Sequence, residues 1–402
     1  MRPRRAAAVL AATALLLAGC ASPQTGGPVA PQRSTGSASA AAPAPSSPDH
    51  TGGHGTGQTT RPPTPLRPGE RLVTVRMPAP YAPKAPAAPG TDDYRCFLLD
   101  PGITARSMVT GIDVLPGNPE VVHHVILFRV PPDEVARAEA IDRAQPGQGW
   151  TCFGGTGIEG QGSGLEDAPW LGAWAPGGGE QVLPDDVGLP VEAGSRIVMQ
   201  VHYNLRAGHA PDLSAARLRL AADDGSRTAL QTVLLPGPVE LPCRPGHTGS
   251  LCDRAAAVAD VQRRFGAEAG FAADALHLLC GPIRPSATQS CTRTVRQAET
   301  VRAVAGHMHL LGRAITVEVN RGKPDARTIL DLPVWDFDNQ GSRPVQPAVH
   351  LSPGDTLTVT CRHDQSLRDQ LPALQGTPER YVVWGEGTTD EMCLGIVLVT
   401  RP

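Results

Sequence analysis

The sequence predicts an all-β protein made of two antiparallel β-sandwiches. From about residue 70 the chain is a series of short segments rich in β-branched residues. They are RLVTVRM, YRCFLL, VVHHVILFRV, SRIVMQVHY, ARLRL, TVRAVAGHMHL, AITVEV, DTLTVTC, RYVVW and CLGIVLV. Turn-forming clusters such as PGN, PGGG, PGD and WGEG separate them, and short strands between frequent turn signals mark sandwiches or barrels. About 330 residues of this texture exceed one comfortable sandwich, so two domains are expected, over 67–226 and 227–402.

Ahead of them come two segments of other kinds. MRPRRAAAVLAATALLLAGC opens with a basic n-region (Arg2, Arg4, Arg5) followed by an apolar run over residues 6–18. That run is shorter than the roughly 20 residues needed to cross a bilayer, so residues 1–19 read as a secretory signal. Its Leu-Ala-Gly-Cys end resembles the bacterial lipobox, which implies cleavage before Cys20 and lipid on it; the alternative is an ordinary signal peptide with an incidental cysteine. The expected location is extracytoplasmic, anchored to the bacterial cell membrane through lipid alone. Residues 20–66 are Gly, Pro, Ser, Thr and Ala with almost no large apolar side chains, so a disordered linker is expected, with His50 and His54 as solvated linker residues. The signal carries three Arg and no acid, so its removal takes the formal charge from -3 to -6. That balance excludes a nucleic-acid binder and leaves no basic membrane patch.

One stretch breaks the β pattern. DRAAAVADVQRRFG followed by AGFAADALHLLC reads as a helical hairpin inserted at about 252–280, with Val258, Val261 and Phe265 at helical spacing and Asp253 as N-cap. Besides Cys20 there are eight cysteines, an even number that should pair outside the cytosol. Zinc binding is the competing reading, but the short CxxC spacing it favours is missing. An antiparallel hairpin is expected to bring Cys252 to Cys280, with Cys243–Cys291 as an outer rung.

The chemistry-bearing residues are five histidines and a methionine on strand-like segments: His123 and His124 in VVHHVILF, His202 in VMQVHYN, His307 and His309 in GHMHLLG, and Met392 in TTDEMCLG. Imidazole suits both copper oxidation states and a thioether favours Cu(I). The set divides into a three-His group and a His-His-Met group, expected as two separate pockets across a cleft. His307 and His309 are two apart on a predicted strand and so share a face; such a pair is also common at surfaces and in cores. Adjacent His123 and His124 point to opposite faces of a regular strand, so binding one ion needs a bulge or strand end; otherwise one faces the core and the other solvent. His202 follows Gln200 on one strand face, and a buried polar strip needs a metal or hydrogen bonds. Met392 is a core residue or a ligand, and its polar context favours the ligand. Glu391 beside it orients the site or bonds backbone. His209, His247, His277, His350 and His363 read as exposed or structural, Asp336, Asp338 and Asp364 as turn or strand-end residues, and Gly177–Gly179 as a plain loop.

Taken together and in order, HH, QVHY, HxH and EMC closely resemble the copper type II, ascorbate-dependent monooxygenases, the family of dopamine beta-monooxygenase and the peptidylglycine alpha-hydroxylating enzymes, and a bacterial branch of it. YRC, WTC, WDFDNQ, PGDTLTVTC and WGEGTTDEMC extend the resemblance over about residues 70–400. It implies two eight-stranded jelly-roll sandwiches and Cys96–Cys152 and Cys361–Cys393 bridges. It also implies an electron-relaying copper on His123, His124 and His202, and a catalytic copper on His307, His309 and Met392. There O2 meets reduced copper, a substrate C–H is hydroxylated and the second oxygen becomes water, with ascorbate or another external reductant as electron donor.

Departures bear on the substrate. Val125 stands where many relatives carry Met after the paired histidines. Peptide-amidating relatives grip a carboxylate with an Arg and a Tyr whose positions here match Ala305 and Ile396, so a glycine-extended peptide is not expected. With Pro402 last, no appended lyase domain is expected. The reading is a monooxygenase of a small organic substrate; the alternative is a non-catalytic copper-binding lipoprotein for storage, delivery or sensing.

Overall fold

In the computed structural model, residues 63–85, 91–158, 164–206 and 208–402 are described. The signal segment, Cys20, His50 and His54 lie outside the described residues.

The fold is all-β, and among the described residues sixteen strands have five or more residues, eight before residue 223 and eight after. One five-stranded sheet runs in the order Trp150–Thr151, Asp92–Leu99, Arg196–Asn204, Val122–Val130, Trp170–Trp174. Its central strand, RIVMQVHYN, is buried along nearly its whole length, so it carries apolar residues on both faces. The longest sheet crosses both halves of the chain. Thr228–Pro236 pairs in parallel with Val187–Val191 through Thr228↔Val187 and Ala229↔Gly188, and antiparallel with Leu394–Thr400. Leu394–Thr400 in turn pairs with Glu299–His307. A four-stranded sheet (Thr288–Thr294, Thr356–His363, Gly312–Val319, Arg327–Leu332) shares the second core with it. Apolar side chains collect in two main cores, one drawn from Val75 to Leu230 and one from Val233 to Val399.

The helical hairpin forms as expected, as α2 (Arg254–Phe265) and α3 (Ala267–Cys280). Asp253 accepts from the Ala256 N–H at 2.9 Å, and Ala257, Val258, Val261 and Phe265 face the core. Gly266 joins the helices at φ 90°, a backbone angle glycine adopts without strain. A further helix, α1 (Pro132–Asp142), departs from the purely β expectation for the first half. Its sequence signals are Pro at the first turn and Asp133 and Glu134 near the positive helix end. Its apolar stripe is faint, with Ala138 alone buried.

Four disulfides form. Cys96–Cys152 and Cys361–Cys393 join the pairs the family resemblance implies. The nested pairing Cys252–Cys280 and Cys243–Cys291 is overturned: the bonds are Cys243–Cys252 and Cys280–Cys291. Each cysteine closes a short local loop instead, with its partner 9 or 11 residues away, where loop closure costs little entropy.

Candidate metal centre

The first histidine set depends on a strand irregularity. Val122 pairs with Tyr203 while His124 pairs with His202, so the register slips at His123. This bulge turns both adjacent imidazoles to the same side. The Nδ1 atoms of His123, His124 and His202 form a triangle with edges of 3.2, 3.1 and 3.3 Å. An ion at the usual imidazole distance of about 2.0–2.1 Å from each nitrogen fits just above such a triangle. Three neutral imidazoles cannot satisfy one another at one point, since most of the converging atoms must present lone pairs. The donor set therefore fits a cation.

The surroundings fix these rings. His202 is fully buried, and its Nε2 pairs with Asp92 Oδ1 at 2.9 Å, which directs Nδ1 at the triangle. Asp92 also accepts from Thr388 N–H at 3.1 Å and Thr388 Oγ1 at 2.6 Å. Burial works to protonate Asp92, but the His202, Thr388 and Thr91 hydrogen bonds outweigh it and hold the carboxyl far below its usual range. Tyr94 stacks on His202 at 4.0 Å between centroids and donates its hydroxyl to the Glu386 carbonyl at 2.7 Å. Burial, then the neighbouring histidines, push the His124 pKa well down, keeping its lone pair free. Asp92→Asn is expected to weaken copper binding at this set about 10–100-fold, read by competitive titration with a chelator.

The second set forms at a strand end. The predicted strand through GHMHLLG stops at His307, and His309 lies just beyond. The two rings still meet, 5.1 Å apart. Gln340 Oε1 accepts from His307 Nδ1 at 2.5 Å while its own amide donates to the Phe337 carbonyl. His307 Nε2 is thereby left as the free donor atom. Burial and the adjacent His309 push the His307 pKa down to about 3. His309 Nδ1 donates to the Asp390 carbonyl at 3.3 Å, and its buried Nε2 has no partner among the described residues. A buried orphan nitrogen is costly unless a ligand completes it.

Glu391 builds the floor of this set. Its carboxylate accepts from the backbone N–H of His309 at 3.0 Å and from that of Leu311. His363, behind it, reaches the Met392 carbonyl at 3.1 Å and Glu391 at 3.3 Å. Met392 is buried two residues ahead of Leu394, the register partner of His307. The Cys361–Cys393 bridge pins the next residue.

The expectation of two pockets across a cleft is corrected. The His124 and His307 rings are 6.0 Å apart, His123 stacks on Phe337 at 4.7 Å, and His123, His124 and His307 line one cavity. Sequence reading missed Asp92 and Gln340 as positioning groups. Asp92 could have been found, since it shares a strand face with Tyr94 and Cys96. Gln340 ends WDFDNQ, and no local pattern ties it to His307.

Glu386 gives a pH signature. Burial, then Asp390, raises its pKa to about 7, against a hydrogen bond from the Gly154 backbone. Between pH ~4.5 and 7 the folded state keeps a proton that the unfolded state has lost, so this group makes stability fall as pH rises. Glu386→Gln should flatten that slope in denaturant titrations from pH 5 to 8.

Comparison with known proteins agrees with the donor pattern. The N-terminal domain of the copper type II ascorbate-dependent monooxygenases matches residues 82–210, and their C-terminal domain matches 284–398. A tyramine beta-hydroxylase of Caenorhabditis briggsae is 25% identical over 297 residues, 71% of this chain and 40% of that protein. A DBH-like monooxygenase protein 2 of Homo sapiens is 32% identical over 88 residues, 22% of this chain and 16% of that protein. The chain thus spans well under half the length of these relatives. Among solved structures, the major capsid protein P2 of bacteriophage PM2 aligns with 82% of this chain and 97% of its own, at 9% identity and a TM-score of 0.27, too low to carry any argument. With both halves matched in order around the two donor sets, the chain belongs to the copper type II ascorbate-dependent monooxygenase family.

Proposed function

We propose that this chain hydroxylates a C–H bond of a small organic substrate with O2 and an external one-electron reductant such as ascorbate. His123, His124 and His202 would hold one copper, and His307, His309 and Met392 a second. The observation that carries this reading is the meeting of both donor sets on one cavity. Bound copper would supply the redox chemistry that activates O2. The chain's own part is to hold the imidazoles in place through Asp92, Gln340 and Glu391 and to seat the substrate beside His307. We further propose that the protein is exported and tethered through lipid on Cys20, as its first twenty residues suggest.

The cavity also bears on the substrate. It measures about 130 Å³, Trp170 and Trp174 form part of its wall, and none of the described residues lining it is charged. Ile396 lines it, and Ala305 is the register partner of Ile396. An ammonium or carboxylate would be buried there without a partner, at a cost of several kcal/mol. The substrate class is therefore uncharged and apolar or aromatic. 2-Phenylethanol should quench tryptophan fluorescence at least about tenfold more tightly than 2-phenylethylamine or phenylacetate; equal or tighter binding of either ion would refute this class.

The activity itself is tested by oxygen uptake with copper, ascorbate and a panel of such neutral compounds. Wild type should show substrate-dependent uptake that His307→Ala and Met392→Ala lose. Tight copper binding with no substrate-dependent uptake would instead establish the storage, delivery or sensing role.

A further inference from the structure

A second cavity, of about 300 Å³, reaches Asp92, the partner of His202, and is walled by arginines. Arg206, Arg263, Arg264, Arg368 and Arg380 all line it, against two lining carboxylates, Asp92 and Asp260. The acids are already engaged. Asp260 pairs with Arg263, Arg264 and Arg380 at 2.6–2.9 Å, and Asp92 serves His202, Thr388 and Thr91. Arg264 also pairs with buried Asp390 at 2.5 Å, and the five arginines still outnumber these three carboxylates. Arg368 is 5% exposed, donates to Gln365 at 2.6 Å and Thr377 at 3.5 Å, and has no carboxylate partner among the described residues. Its Nη2 and that of Arg380 are buried without an acceptor among the described residues. A buried guanidinium lacking a counter-charge is costly unless an anion completes it.

The position of the cavity says which anion. Asp92 lines it and also accepts from His202 Nε2 at 2.9 Å. A second connection is aromatic. Phe265 lines the cavity and lies 5.1 Å from Phe153, Phe153 lies 5.5 Å from Tyr94, and Tyr94 stacks on His202 at 4.0 Å. An occupant is thus one carboxylate from the three-His set. Asp260, Arg263, Arg264 and Phe265 belong to α2, inside the segment 211–283 that neither family match covers. The inserted hairpin therefore builds this wall.

We propose that the arginine-walled cavity binds the anionic enediol reductant, ascorbate or a close chemical equivalent, and admits electrons to the three-His copper. The inference rests on the proposed function for the electron's destination. Bound there, the ascorbate monoanion would give one electron to a Cu(II) held by His123, His124 and His202 and one proton to solvent at the exposed Arg263 rim, leaving the ascorbyl radical anion. Two such donations supply the two electrons and two protons that carry the second oxygen atom of O2 to water.

The test begins with anaerobic calorimetric titration of ascorbate into the full, copper-free chain, with inorganic phosphate as competitor. Wild type should bind ascorbate one to one and at least about tenfold more tightly than phosphate. Arg368→Gln and Arg380→Gln should each weaken binding about ten- to a hundredfold, and Arg368→Lys should recover part of it. Arg263→Gln, at the 53% exposed rim, gives a variant with little folding risk and should also weaken it. In copper-loaded protein, reduction rates should saturate with ascorbate for wild type and rise linearly for Arg368→Gln. Unchanged affinity in the variants, or phosphate binding as tightly as ascorbate, would overturn the assignment. The titration needs no turnover, so absent monooxygenase activity would count against the proposed function and leave this site standing.

Discussion

Replacing His202 by glutamine is expected to remove one of two copper ions per chain and to lower substrate-dependent oxygen uptake by more than a hundredfold. Even loss of an outer hydrogen-bond partner costs about 10–100-fold at such sites, and His202 is a proposed ligand. It is also the residue on which the first set turns. It is the register partner of both His124 and Tyr94, it lies within 3.1–3.3 Å of both other donors, and it is the partner of Asp92. The substitution strands Asp92 as well, so some loss of stability should accompany it. Copper analysis separates the effects: a folded variant should retain the ion held by His307, His309 and Met392. Retention of two ions, or uptake within a few fold of wild type, would remove His202 from the site.

Arg219→Ala is expected to destabilise the fold by about 3–5 kcal/mol, as for other buried ion pairs broken from one side. Arg219 is 1% exposed in the first core, bonded to Glu70 at 2.8 Å and Glu180 at 3.0 Å. It also donates to the Thr64 and Pro65 carbonyls, both at 2.7 Å, tying the chain before the first strand to the sheet. Burial works to raise the Glu70 pKa, yet bonds from Thr110, the Arg67 backbone and Arg219 hold it at about 2. A depressed carboxyl stabilises fully above its unfolded pKa and loses that contribution as pH falls through the folded value. The penalty of Arg219→Ala, measured by denaturant unfolding, should therefore shrink between pH ~4.5 and 2. Arg219→Met with Glu70→Gln should recover part of the loss, because the fully buried carboxylate is neutralised and only Glu180, 13% exposed, loses its arginine.

Much of this was legible in the sequence because it is local. Short segments rich in β-branched residues and the turn clusters between them gave the all-β class, and Asp253 with Val258, Val261 and Phe265 gave the hairpin. The His123–His124 pair could hold one ion only with a bulge, and the register slips there. What was illegible depends on long-range register. Cys252 and Cys280 flank the hairpin as expected neighbours, yet each bonds a cysteine 9 or 11 residues away. The near-contact of His124 with His307 joins residues 183 positions apart on different sheets, and nothing in either segment records it. Asp92 and Thr388, 296 apart in sequence, meet for the same reason. α1 hid because its apolar face is narrow: Ala138 is fully buried, and Val135 and Ile141 are partly exposed.

Copper K-edge X-ray absorption on the reduced, metal-loaded chain, together with copper analysis, tests the two-set arrangement most directly. Two coppers per chain, nitrogen-dominated scattering and a single sulfur contribution that disappears in Met392→Ala would bear it out. One copper or none, or a sulfur signal indifferent to Met392, would contradict it.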